Sequence, residues 1–155
     1  MIEIQRAHQQ FFPKRLLYYW SKLYSGQVEK GNVQYGTLKQ VMVIAISNFH
    51  LYMKNPSYLS HHRLFDTDTL NCEVDDIVFH FIDLKKFNLT KVDELKTACD
   101  VWCYFLKYIH RVDARTISLL KQKHPFITQA ITELENYKLK PEEFEKYLLY
   151  TMGLE

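Results

Sequence analysis

The sequence lacks most of what would make it a cross-linked, loop-built or membrane-spanning protein. Its three cysteines, at 72, 99 and 103 in 155 residues, are too few and too unevenly placed for a disulfide framework. Glycine and proline number only four each, so breaks are rare and long regular elements are expected. The opening MIEIQRAHQQ has no apolar core of the kind a signal peptide carries. The longest apolar run, Val41 to Ile46, is too short to cross a bilayer. Neither sign of charge dominates, with 20 basic and 18 acidic residues for a formal +2, so net charge alone marks no nucleic-acid binder. A glycine-rich phosphate loop and a serine–histidine–aspartate order are also missing. What is present is a 47% hydrophobic, 15% aromatic chain of one-domain length, 1–155, with a bulky core. A reducing cytoplasm is the expected compartment.

The hydrophobic spacing changes along the chain. Ile2 and Ile4 alternate with Glu3 and Gln5, the period of a strand with one polar face. From Pro13 to Val28, Leu16, Tyr19, Trp20 and Leu23 recur at helical intervals and define one apolar face, with Pro13 suited to a first turn. Leu38 to Phe49 is a nearly continuous apolar run and reads as a central strand. Tyr58–Asp66 and Val74–Leu84 alternate on either side of the polar DTDTLN stretch, a hairpin pattern. Beyond Phe87 the spacing is helical. One helix is expected to open at Asp93-Glu94 and a second at Ala114, with Pro125 a kink or a fresh start. A last helix is expected from Lys140-Pro141.

Charge is unevenly spread, for Met1 to Lys54 carry a net +5 and the remainder a net −3. The basic helix, with Lys14, Arg15 and Lys22 interleaved with Tyr18, Tyr19, Trp20 and Tyr24, can meet a phosphate backbone. The same pattern also fits a solvated helix face over an aromatic core. In Ile2-Glu3-Ile4-Gln5, two polar residues two apart on a strand share a face. A carboxylate there can bind Mg²⁺, and its neighbour can orient a water for attack on phosphorus. Alone, the pattern is unspecific. Other candidates have plainer readings. Cys99 and Cys103 suit a reduced core, and His61 and His62 point to opposite strand faces as surface residues. Asp75-Asp76 suit edge-protecting charges, and Asp66 with Asp68 a hairpin rim.

IEIQ, FFPKRLLYYWSKLYSGQVEKGNVQY, VMVIAISNF and VDDIVFHFIDLKKF together resemble the PD-(D/E)XK nuclease family that includes the recombination-promoting nuclease (Rpn) and transposase proteins of mobile elements. The most specific stretch is Arg15 to Tyr24, followed by Gln27, Gly31 and Tyr35. The run Phe79–Phe87 supports it, as does Trp102 with Phe105-Leu106, and the likeness extends from Ile2 to about Leu134. The resemblance implies an α/β fold: part of a restriction-endonuclease-like core, a mixed sheet with a crossing helix, over 1–54. A hairpin extension over 55–87 and a helical tail over 88–155 would follow. It implies a Mg²⁺-dependent DNA endonuclease in which Glu3 matches the metal-binding Glu and Gln5 the last position of the E-x-Q motif. Arg15, Lys14, Lys22 and Tyr19 would meet DNA from the following helix.

One departure bears on activity. The family's Asp strand, the strand before it and the first core helix would all lie upstream of Met1. The chain is therefore expected to be a truncated copy, or a separately translated C-terminal product, that is inactive alone. Three roles follow from this. It could be an endonuclease completed by another chain's Asp, or a regulatory module that pairs with a full-length nuclease or with itself. It could also be a remnant with no selected role.

Overall fold

A computed structural model describes residues 1–28, 31 and 34–138. They fall into two compact units, Met1–Asn88 and Leu89 onward.

The first unit is a four-stranded mixed sheet with one helix. Its elements are β1 (Ile2–Gln5), α1 (Phe12–Ser25), β2 (Val41–Ser47), β3 (Leu59–Arg63) and β4 (Ile77–Asp83). The strand order is β1-β2-β4-β3. β2 runs parallel to both neighbours, and β3 closes the far edge antiparallel to β4. The central strand and the hairpin thus stand where the alternation placed them. The polar DTDTLN stretch closes the loop after β3. Asp66 accepts hydrogen bonds from the backbone N–H of Asp68 (3.0 Å) and Thr69 (2.6 Å), and from the Thr69 hydroxyl (2.9 Å). Those bonds favour the ionised form and hold the Asp66 carboxyl below its usual range.

The helix α1 enters through Phe11 in a left-handed conformation (φ 65°) with Pro13 in its first turn. Its buried stripe differs from the one expected. Phe12 and Leu16 are buried and Trp20 is partly so, four residues apart each time, whereas Leu23 is exposed. Polar anchors select this face. Trp20 Nε1 donates to the Val41 carbonyl (3.0 Å), and the Tyr24 hydroxyl donates to Asp76 (2.9 Å). Phe12 and Leu16 pack with Val43, Ala45, Phe49, Phe79 and Phe81 in one core cluster. Burying each of the two helix side chains is worth about 1.5–3 kcal/mol.

β1 reverses the usual orientation of an amphipathic strand. In register, Glu3 faces Ala45 and Gln5 faces Ser47, so the polar pair points to the side on which α1 packs. Ile2 and Ile4, 65% and 56% exposed, point to the other side with Met42. Among the described residues, β1 is hydrogen-bonded on one side only, to β2, and every second amide faces away from the sheet. Amides of β1 are therefore expected to exchange with deuterium faster than those of β2, which is paired on both sides. Equal protection of the two strands would overturn this reading.

The second unit is helical, with α2 (Ala98–Tyr108), α3 (Ala114–Lys123) and α4 (Pro125–Lys138). Asp93-Glu94 do not open α2, as expected from their acidity, but form a single 3₁₀ turn over Val92–Glu94. Leu95 then extends, and the helix starts one capping box later. Thr97 Oγ1 accepts the Asp100 N–H (3.1 Å), and Asp100 accepts the Thr97 N–H (2.8 Å). Asp113 caps α3 in the same manner through the Thr116 N–H (2.8 Å). Pro125 begins a fresh helix, after an extended His124. Cys103 is buried, and its thiol is pushed up by its hydrogen bond with Cys99 and by burial, as suits a reduced core residue. The helix expected from Lys140 lies outside the described residues.

Candidate functional site

The period-2 spacing of β1 brings Glu3 and Gln5 to one face, and α1 lays Arg15 over them. Arg15 Nη2 donates to Glu3 Oε1 (3.0 Å) and to Gln5 Oε1 (2.8 Å), while Nη1 donates to Gln9. The Gln5 amide donates in turn to the Ala7 carbonyl (3.3 Å). Phe12 and Tyr19, three before and four after Arg15, flank the guanidinium with their rings, 5.2 and 6.0 Å from its carbon. The Arg15 and Glu3 side chains are 29% and 28% exposed, so the ion pair is partly screened. It fixes orientation more than it adds stability.

Of the residues singled out in the sequence, Glu3, Gln5, Arg15 and Tyr19 therefore converge. Lys14 and Lys22 do not join them. Both are exposed, with Lys14 5.4 Å from the Phe11 ring and Lys22 5.6 Å from the Tyr18 ring. Gln9, which completes the ring of acceptors around Arg15, was not foreseen. It sits in the β1–α1 connection, where no periodicity operates.

The donor set at Glu3 is a poor match to Mg²⁺, which needs about six oxygen ligands in octahedral array and is usually held by one or two carboxylates with substrate phosphates. Glu3 is, among the described residues, the one carboxylate of this cluster, and the Arg15 cation already occupies it. Among the described residues, no group of three or more His, Cys, Asp or Glu is placed to hold a metal ion.

A second polar centre went unforeseen. In the sheet register Gln5, Ser47 and Asp83 form one row at the carboxyl ends of the parallel strands. Asp83 is 5% exposed and accepts hydrogen bonds from the Lys85 and Lys86 N–H groups (3.0 and 3.3 Å). Its other oxygen lies 3.1 Å from His50 Nδ1 and 3.7 Å from Lys86 Nζ. The Lys86 ammonium also reaches the Tyr52 and Asn55 carbonyls, each at 2.5 Å. The sequence signal was an aspartate ending an apolar strand, followed by Leu-Lys-Lys.

A strand with Glu-x-Gln, a helix laid over that pair and a parallel return strand define a restriction-endonuclease-like α/β core. The sequence model of the PD-(D/E)XK nuclease family transposase matches residues 1–151, and the chain belongs to that family. Comparisons with curated proteins and with solved structures give no match. No helix among the described residues is long and apolar enough to cross a membrane.

Proposed function

We propose that this chain is a DNA-binding, cytoplasmic member of the transposase-like nucleases that does not cut DNA alone. The observation that carries this reading is the Arg15 guanidinium bridging Glu3 and Gln5. It supplies a positive charge where catalysis in this family calls for a metal-bound cluster of acids. Catalysis by Glu3 and Gln5 would require a further carboxylate from outside the described residues, and displacement of Arg15 toward a DNA phosphate. Lys14 and Lys22, exposed on α1, would then contact the backbone, with Tyr19 supporting Arg15 from the side.

A second reading, a non-catalytic module that pairs with a full-length nuclease or with a second copy, is favoured by the exposed Ile2, Ile4 and Met42 beside the open edge of β1.

Plasmid nicking with Mg²⁺ tests the proposal. The purified chain is expected to nick no faster than its Glu3→Ala variant, while binding DNA with an affinity that falls as salt rises. Replacing Lys14 and Lys22 together by Ala should weaken that binding and reduce the salt slope by about two, roughly one per lost phosphate contact. Metal-dependent cutting that Glu3→Ala abolishes would overturn the claim of inactivity.

A further inference from the structure

His61 on β3 and His80 on β4 are directly opposed in the antiparallel register. Their Nδ1 atoms approach to 2.5 Å, with ring centroids 4.7 Å apart and planes at 82°. The adjacent His62 takes no part, because it points to the opposite face and stacks on Tyr52 at 5.0 Å. A strand pair places two side chains this close wherever partners face each other, but two imidazole nitrogens aimed at one point is a further condition. We propose that His61 and His80 form a two-imidazole site for a divalent d-block cation such as Zn²⁺ or Ni²⁺, joining the edge strand β3 to β4.

Three features support the site. The antiparallel register sets the two imidazoles directly opposite each other, with both Nδ1 atoms on the same face of the sheet. An ion held about 2.0–2.1 Å from each nitrogen needs the two atoms about 2.9–3.3 Å apart, which a small swing of either ring supplies. His80 stands on a strand paired on both sides, so one ligand is held in place before any ion arrives. His61 stands on the edge strand, where its ring is exposed and free to turn toward an arriving ion. Arg63 repels a cation, and the remaining coordination positions fall to water. The site should therefore bind more weakly than a four-ligand structural zinc centre.

The chemistry is separate from that of Glu3. Imidazole selects Zn²⁺, Ni²⁺ or Cu²⁺, whereas Mg²⁺ seeks oxygen ligands. Failure of one proposal would leave the other standing.

The test is a titration of the full chain with Ni²⁺, following histidine ring signals by NMR and affinity by calorimetry, with Mg²⁺ as the reference ion. The paramagnetic ion should broaden the His61 and His80 ring signals together and before those of His8, His50 and His110, at one equivalent. His61→Gln and His80→Gln should each weaken binding by about tenfold or more, a loss seen even for partners that merely support a ligand. His62→Gln should leave the affinity unchanged, and Mg²⁺ should leave the spectrum unchanged. Because His61 is exposed on an edge strand, its variant keeps the test valid if His80→Gln unfolds. Broadening that begins elsewhere, or an affinity indifferent to His61→Gln, would overturn the site.

Discussion

Replacing Asp83 by Ala should cost the first unit about 3–5 kcal/mol, the range for breaking a buried charge pair by removing one partner. The carboxylate is 5% exposed and Lys86 carries a side chain only 12% exposed. Without Asp83, the Lys86 ammonium keeps two carbonyl acceptors but no counter-charge, and the Lys85 N–H loses its acceptor while the Lys86 N–H keeps only the backbone carbonyl of residue 83. Asp83→Asn retains an oxygen for those N–H groups and should cost distinctly less. Urea denaturation of the two variants beside the parent measures both. Equal midpoints for Asp83→Ala and the parent would show that the centre contributes nothing net.

Leu16→Ala is the second large effect, expected at about 2–5 kcal/mol. Leu16 is fully buried among Phe12, Val43, Ala45 and Phe79, whereas Leu17, the next residue, is 52% exposed. Leu17→Ala should change stability by less than about 0.5 kcal/mol. Thermal melts of the two single variants check the assigned face of α1 directly. Similar losses at both positions would mean that the helix is rotated from the orientation described. The Leu16 variant should also loosen the Arg15 contacts, since Arg15 reaches Glu3 only if its own turn of α1 stays seated on the sheet.

The strands of the first unit were legible because they are apolar runs or alternations that helices cannot imitate over that length, as in Val41–Ser47 and Ile77–Asp83. Pairing Glu3 with Gln5 was legible from period alone. Which way β1 turned that pair was not, because two isoleucines ordinarily decide the inward face. Here the inward choice is compensated by Arg15 from a different element. The start of α2 was misplaced because Asp93-Glu94 resemble a helix's acidic first turn, while the reciprocal Thr97–Asp100 bonds three residues on provide the actual cap. The His61–His80 pair escaped for a related reason. Partners 19 residues apart become neighbours only through the register of β3 on β4. Asp83 was visible as a residue, but His50 and the carbonyls of Tyr52 and Asn55 reach it and Lys86 from a loop with no periodic signal.

The parallel pairing of β1 with β2 also orders events during synthesis. Ile2 pairs with Ile44, and the strand between them and β3 in the sheet, β4, is made later still. A ribosome releases the Glu3-bearing segment before β2, yet that segment finds no sheet until β2 has emerged and the entropy of closing the α1 crossover has been overcome. β3 and β4 face a shorter closure across the Asp66 turn. The Glu3-bearing strand should thus stay unpaired while α1 and its crossover are made, and until β2 arrives Ile2 and Ile4 are open to chaperones.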